Sequence, residues 1–167
     1  MSESTESRLG NGPIHITKIP VRWGDFDRFG HINNASYIEI AQEARAVFAM
    51  EEFVERGHAM PAAYVRSMKI DYVSSIMPDT AEVIVETQVI HIGRTSFTTV
   101  QQLKDRHGTI ACIIECVQIV VDLVSGSPRP IAEHERKVLI SVSTPDAALA
   151  AGEPAAEGTD DTTDIKE

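Results

Sequence analysis

The sequence predicts an α+β fold in which a curved antiparallel sheet of about five strands wraps around one long central helix. Three observations lead to this prediction. Residues 34–57 form the only long stretch with helical spacing of apolar side chains, residues 62–123 divide into four β-like segments, and residues 15–23 form a further β-like segment before the helix. One long helix followed by a run of short strands is typical of a sheet that buries a single helix.

The first strand and the long helix follow from local signals. Residues 15–23 are predicted as a strand, and Pro20 favours an edge position because proline cannot donate a hydrogen bond to a neighbouring strand. In the helix, Asn33 or Asn34 can cap the start and Gly57 can close the end. The apolar side chains fall on one helical face, which we expect to be buried. That face comprises Tyr37, Ile40, Ala41, Ala44, Val47 and Phe48.

Four strands are predicted after the helix, separated by turn residues. The second of the four alternates valines and a threonine with charged and polar residues, a pattern typical of a sheet with one wetter face. The last is apolar on both faces, so we expect it inside the sheet. A short helix is expected from about Ile131. The four strands are expected at about residues 62–74, 80–93, 95–106 and 109–123.

The 167 residues are expected to form one domain over residues 14–143. Residues 1–13 and 144–167 have few large apolar side chains to offset the entropy of ordering, so both segments are predicted to be disordered. Most of the net charge of −10 lies in the acidic C-terminal segment. This charge argues against nucleic acid as a partner, whereas the nearly balanced domain can still hold a local site for an anion.

Several classes of protein are excluded by what the sequence lacks. No apolar stretch approaches the roughly 18–20 residues of a membrane span, and the first residues do not resemble a secretory leader, so we expect a cytoplasmic protein without a membrane partner. Cys112 and Cys116 lie four residues apart on one predicted strand, too far for a disulfide, and are interpreted as core residues. The six histidines are scattered, and we predict no metal.

Residues 22–37, RWGDFDRFGHINNASY, resemble the signature of the 4-hydroxybenzoyl-CoA thioesterase family of hotdog proteins, particularly its acyl-CoA thioesterases. Glu43-Ala44-Arg45 and the segment 92–97 are also similar to that family, and the resemblance covers about residues 14–125. It implies a hotdog fold and hydrolysis of an acyl-CoA to a free acid and CoA. It also implies no metal or redox cofactor, and a homodimer or homotetramer whose sites lie at the subunit interface.

The resemblance implies that Asp27 is the catalytic carboxylate and that the Asn34 backbone N–H stabilises the oxyanion. The chemistry agrees, because thioester hydrolysis needs a nucleophile or a base, and donors for the developing oxyanion. Whether Asp27 attacks directly or activates water stays open. His31 could orient the water, bond to Asp27, or satisfy backbone groups of the turn. Some relatives carry a catalytic histidine where this sequence has Asn34, a departure that shifts the weight onto Asp27.

Other motif residues have simpler interpretations. Asp25 is expected to hold the loop by accepting backbone hydrogen bonds. Gly30 is expected to meet a conformational requirement, and Asn33 to be a cap or a polar group of the site. Tyr37 matches the pattern as a substrate contact, although such a residue more often belongs to the core.

The coenzyme A contacts are implied by the resemblance. Arg94 would meet the phosphates, with Thr95 and Ser96 beside it near the pantetheine channel. The alternative interpretation of Gly93–Ser96 is an ordinary β-turn with an exposed arginine. Arg129 is a weaker candidate for the 3′-phosphate, and an arginine on a solvated loop is the simpler interpretation.

Two other functions are alternatives to hydrolysis. Hotdog dehydratases and hydratases carry D-x-N-P-x-H, and no Asn-Pro pair occurs in this sequence. A non-catalytic acyl-CoA-binding module would be expected to lack the acidic residue that is present at Asp27. The sequence does not distinguish CoA from acyl carrier protein as the carrier of the acyl group, and it does not predict an acyl preference.

Overall fold

The computed structural model describes residues 6–152. It confirms the predicted α+β hotdog arrangement, a curved five-stranded antiparallel sheet around one long helix, with strand order β1-β3-β4-β5-β2. The elements are β1 (His15–Pro20), α1 (Asn34–Ala49), β2 (Ala63–Tyr72), β3 (Glu82–Ile92), β4 (Ser96–Lys104), β5 (Ile110–Val120), α2 (Glu133–Ser141) and α3 (Pro145–Gly152).

Helix α1 lies against the concave face of the sheet, where its predicted apolar face is buried or, at Val47, partly buried. The Asn33 side chain caps its start by accepting a hydrogen bond from the Ala35 N–H at 2.9 Å. The α-helical hydrogen bonds end at Ala49 and a π-helical turn continues over Met50–Val54, before Gly57 takes a positive φ of 82°. The single helix predicted for residues 34–57 is therefore an α-helix followed by a wider turn.

The positions of three strands bear on function. Strand β1 with Pro20 lies at one edge and β5 lies inside the sheet, as predicted. Strand β2 forms the other edge, and its apolar side chains are unusually exposed for a strand of ten residues. The exposed apolar side chains of β2 are Tyr64, Val65, Met68 and Tyr72. Within residues 6–152 no helix is long and apolar enough to cross a membrane.

Both cysteines are buried core residues, as predicted. Cys112 and Cys116 are free thiols on β5. Burial raises the pKa of Cys112 to about 12, and burial also raises the pKa of Cys116. Neither thiol is suited to nucleophilic chemistry at neutral pH, because the reactive form is the thiolate.

Residues on both sides of the predicted domain, 14–143, contact the rest of the fold. Residues 6–13 cross the outer face of the sheet, where the Arg8 N–H donates to Gln102 Oε1 at 2.8 Å and the Gly10 N–H donates to Gln88 Oε1 at 2.9 Å. At the other end, α3 buries the small side chains of Ala147 and Ala151. Composition could not reveal these contacts, because they need buried glutamines and alanines rather than large apolar residues. The predicted disorder of residues 1–5 and 153–167 falls outside the described residues.

Candidate active site

A tight turn between β1 and α1 holds the Asp27 carboxylate. Asp27 Oδ1 accepts hydrogen bonds from the backbone N–H groups of Phe29 at 2.8 Å and His31 at 3.2 Å. The Asp27 N–H donates to the His31 carbonyl at 2.8 Å, and Gly30 takes a positive φ of 76°, the conformation that favours glycine. One carboxylate oxygen therefore holds the turn. The other, Oδ2, has no hydrogen-bond partner within residues 6–152.

A second turn repeats this geometry elsewhere in the chain. Asp105 Oδ1 accepts hydrogen bonds from His107 and Thr109 N–H groups, each at 2.9 Å, and the Asp105 N–H donates to the Thr109 carbonyl at 3.0 Å. Gly108 has a φ of 82°. The hydrogen bonds of Asp27 are thus those of a common turn type, and its neighbours must decide whether it has a chemical role.

The neighbour that distinguishes Asp27 is the N-terminus of α1. Asn33 caps that end, and its own N–H donates to the Asp25 carbonyl at 2.8 Å. Asn34 is the first helical residue, and its N–H finds no acceptor in the described part of the chain. An unpaired N–H at the positive end of a helix dipole favours a negatively charged oxygen.

Asp25 lies beneath this loop with 4% of its surface exposed. Its Oδ2 accepts a hydrogen bond from the Arg22 N–H at 2.7 Å, which matches the loop-holding role that the sequence suggests. The Arg22 side chain lies within 3.5 Å of the same oxygen. Asp25 is therefore occupied in holding the loop that precedes Asp27.

A crevice of about 200 Å³ brings several of the predicted site residues together. Asp27 and His31 enter from the loop, Asn34 and Tyr37 from α1, and residues 72–75 from the end of β2. The His31 imidazole makes no hydrogen bond to any residue in the 6–152 range, so its link to Asp27 runs through backbone groups. The predicted assembly of Asp27, His31 and Asn34 is present in one open pocket.

Two tyrosines join the edge strand to this helix end. The Tyr72 hydroxyl donates to the Asn34 carbonyl oxygen at 2.9 Å, and its ring lies 5.6 Å from that of Tyr37, in an edge-to-face arrangement. The buried Tyr37 hydroxyl donates to the Ser74 carbonyl at 3.4 Å and accepts from the Ile76 N–H at 3.1 Å. Burial raises the pKa of Tyr37 and of Tyr72, which keeps both hydroxyls protonated as donors. No sequence motif signalled Tyr72.

The residues predicted to bind coenzyme A lie far from this crevice. Arg94 and Thr95 lie in the turn between β3 and β4, and Ser96 begins β4, at the end of the sheet opposite to Asp27. Strand β4 has nine residues and runs from one end of the sheet to the other, so these two ends of the sheet are separated by about 30 Å. The Gly93 N–H closes the turn on the Ser96 carbonyl at 2.8 Å. One chain therefore does not bring this turn and Asp27 together.

Arg129 is engaged within the chain. Its guanidinium makes two hydrogen bonds to the Glu135 carboxylate, at 2.9 and 2.6 Å. Burial alone would raise the pKa of Glu135, but hydrogen bonds from Arg129 and from the Ala132 N–H outweigh it and hold that pKa below its usual value. The Arg129 guanidinium, a candidate for binding a phosphate, is thus already paired with a buried carboxylate.

No metal-binding cluster is found in the part of the chain that the structure describes. Within residues 6–152 no group of three or more His, Cys, Asp or Glu side chains is arranged to hold a metal ion.

Comparisons with known proteins point to one family. The model of the thioesterase-like superfamily matches residues 21–147. The chain is similar to a thioesterase from Thermus thermophilus solved with coenzyme A and zinc, with 26% identity over 77% of this chain and 98% of that one, and a TM-score of 0.65. No curated protein matches the chain.

Two further solved structures share the fold at lower identity. A predicted thioesterase from Bacillus stearothermophilus is 23% identical over 78% of this chain and 96% of that one, with a TM-score of 0.69. A 1,4-dihydroxy-2-naphthoyl-CoA thioesterase from Synechocystis is 11% identical over 75% of this chain and 95% of that one, with a TM-score of 0.63.

Proposed function

Because the chain belongs to the thioesterase-like superfamily of thioester hydrolases, we propose that it hydrolyses acyl-CoA thioesters to a free carboxylic acid and CoA, with Asp27 as the reacting carboxylate. One observation carries the proposal. Asp27 and Asn34 line the same crevice, and within residues 6–152 neither Oδ2 of Asp27 nor the N–H of Asn34 has a hydrogen-bond partner. A carboxylate and an oxyanion donor beside one carbonyl are the two groups that thioester hydrolysis requires.

In the proposed reaction, the thioester carbonyl oxygen accepts a hydrogen bond from Asn34 N–H. If Asp27 is the nucleophile, Oδ2 bonds to the carbonyl carbon, the C–S bond breaks, and CoA leaves as a thiolate that takes a proton from solvent. Water then hydrolyses the mixed anhydride, which releases the acid, restores the Asp27 carboxylate and returns a proton to solvent. If Asp27 is the base, it takes a proton from water while the water oxygen attacks the same carbon, and that proton passes to the departing thiolate. Neither route needs a metal or redox cofactor.

His31 is proposed to assist from the wall of the crevice. Its imidazole is partly exposed in the pocket, so it can orient water or give a proton to the departing sulfur. Its backbone N–H already helps to orient the Asp27 carboxylate. A substitution of the His31 side chain would leave that backbone hydrogen bond in place. The contribution of the imidazole can therefore be measured separately from that of the backbone N–H.

We also propose that the complete site needs a second copy of the chain. Strand β2 leaves its outer edge unpaired within the described chain and exposes apolar side chains, which favours pairing with the same strand of another copy. Antiparallel pairing about a two-fold axis reverses the direction of the partner's sheet. The partner's turn of Arg94, Thr95 and Ser96 would then lie at the Asp27 end, where it could contact CoA phosphates. The proposed assembly is a homodimer, or a homotetramer built from it.

A coenzyme A ligand is supported by the Thermus thermophilus thioesterase, which was solved with coenzyme A. Arg129 is the least favoured of the proposed phosphate contacts, because binding a phosphate would require breaking its paired hydrogen bonds to Glu135. The proposed CoA contacts therefore rest on the turn at residues 94–96.

The test is thiol release from a panel of acyl-CoAs by the purified protein, followed with a thiol reagent. We expect release by the wild-type protein and at least a hundredfold slower release by Asp27→Asn, because general acid–base catalysis contributes about 10²–10⁴-fold. Calorimetry with the same compounds separates the alternatives. Binding without release would show a non-catalytic module, and wild-type rates in Asp27→Asn would disprove the assigned carboxylate.

A further inference from the structure

A second cavity adjoins the Asp27 turn, and no residue of α1 is among those that line it. It is a groove of about 460 Å³ lined by Trp23, Phe26, Asp27, Arg28, Gly30 and Pro78. Trp23 forms an apolar wall of the groove. It is 94% exposed, which is unusual for a residue type that is highly buried on average. Nothing in the chemistry described so far uses this groove.

We propose that the groove beside Trp23 binds the apolar acyl group of the thioester whose carbonyl is held at Asp27 and Asn34. This inference rests on the proposed function and adds the location and chemical class of the acyl site. Trp23 is then a residue that determines specificity for large apolar acyl groups.

The first reason is continuity with the reacting atoms. Asp27 lines both the polar crevice and the groove. The first carbon atoms of an acyl group are bonded to the reacting carbonyl, so they must lie within a few ångströms of Asp27. An apolar surface that adjoins this residue is therefore in the right place for them.

The other end of the substrate fits this groove less well than the acyl group does. The adenine of CoA could also stack on an exposed tryptophan. However, the pantetheine arm places a chain equivalent to about four residues, or roughly 13 Å, between the thioester and the nucleotide. With the arm extended, the adenine therefore lies beyond a groove that shares its wall with Asp27.

A further reason is the size and character of the groove. Its volume lies within the range of about 300–1,000 Å³ that is usual for small-molecule sites. The Arg28 guanidinium stacks over the Phe29 ring at 4.7 Å, and this ring is not part of the groove wall. The cation thus has its own partner, and the surface of Trp23, Phe26 and Pro78 remains for an apolar ligand.

Trp23 supplies its own probe, because it is the only tryptophan of the chain. Its fluorescence can be recorded while the wild-type protein binds S-ethyl-CoA and S-decyl-CoA, thioethers that cannot be hydrolysed. We expect a blue shift with S-decyl-CoA and none with S-ethyl-CoA or CoA, since only the long chain removes water from the ring. Affinity by calorimetry should rise by up to roughly fourfold for each methylene that enters the groove. Saturation by S-decyl-CoA with unchanged emission would overturn the inference.

Kinetics provide the matched control. Trp23→Ala should lower kcat/KM for decanoyl-CoA by roughly tenfold or more and leave that for acetyl-CoA within threefold. Leu149→Ala removes another exposed apolar side chain, 73% exposed on α3, and should change neither value. An equal loss for both substrates in Trp23→Ala would contradict an acyl site.

The outcomes separate this inference from the proposed function. Hydrolysis with unchanged tryptophan emission would support the thioesterase activity and would disprove the groove as the acyl site. A blue shift without hydrolysis would support the groove as the binding site of the acyl group and would disprove the thioesterase activity. If S-decyl-CoA neither binds nor shifts the emission and no acyl-CoA is hydrolysed, both are wrong.

Discussion

A buried cation between α1 and the sheet allows a worked prediction of stability. Arg45 is 7% exposed, its Nη1 donates to Gln101 Oε1 at 2.7 Å, and its Nη2 has no partner within residues 6–152. Gln101 Nε2 donates in turn to the Ala41 carbonyl at 3.0 Å. No carboxylate forms an ion pair with Arg45 in the described chain, and burial lowers the pKa of its guanidinium.

Gln101→Leu keeps the volume of the side chain but removes the acceptor of Arg45. A hydrogen bond to a charged group contributes about 1.5–3 kcal/mol, and stranding a buried charge costs about 3–5 kcal/mol. We expect a loss of about 3–5 kcal/mol in the free energy of unfolding. For a chain of this size that corresponds to a fall of roughly 6–20 °C in Tm.

Urea unfolding followed by circular dichroism, at one protein concentration, measures this loss. The control is the double variant Arg45→Met/Gln101→Leu, in which the charge is removed with its partner and at least half of the stability should return. A cost below about 1 kcal/mol for Gln101→Leu, or no recovery in the double variant, would refute the argument that Arg45 depends on this hydrogen bond.

Three single contacts can each be tested by one substitution. Tyr72→Phe removes the hydrogen bond to the Asn34 carbonyl and should lower kcat roughly 2- to 13-fold with little change in KM. Gly30→Ala meets no atom within 4 Å but strains a φ of 76°, so unfolding should become easier by about 1–2 kcal/mol. Glu135→Gln should make the free energy of unfolding depend less on pH in the acid range. Because the folded state lowers the pKa of Glu135, the carboxylate stabilises the fold at pH values above its unfolded pKa near 4.5. That stabilisation is lost as the pH falls through the folded pKa of Glu135.

Each of these has its own control. Gly24→Ala introduces the same methyl group, also with no atom within 4 Å, at a glycine without a positive φ, and an equal loss of stability there would remove the strain argument. For Tyr72→Phe, a rise in KM with unchanged kcat would mean that the hydroxyl binds substrate rather than positions α1. For Glu135→Gln, a stability difference from wild type that stays constant from pH 3 to pH 7 would show that the carboxylate's charge is not involved.

The elements that the sequence predicted well are those with local signals. The period of α1, the edge position of Pro20, and the Asn33 cap each depend on residues adjacent in the chain. The motif also placed Asp27 and Asn34 in one crevice, because the turn and the helix start are continuous.

What the sequence did not predict depends on contacts between distant residues. Tyr72 reaches Asn34 across 38 positions, and the Arg45–Gln101 bond spans 56. The contact between Arg129 and Glu135 could not be inferred, because it requires the chain to turn between β5 and α2. The composition of residues 6–13 predicts disorder, because the two buried glutamines that they contact carry no signal of their own.

The central claim concerns Asp27, and Asp105 offers a direct test of it. Both aspartates hold the same kind of turn, and in each Asn variant the side-chain oxygen can still accept the turn's hydrogen bonds. The measurement is kcat/KM for one acyl-CoA in Asp27→Asn and in Asp105→Asn. We predict a loss of at least about a hundredfold for the first and a change within about threefold for the second. Equal values in the two variants would contradict the account, because Asp27 would then be a turn residue and nothing more.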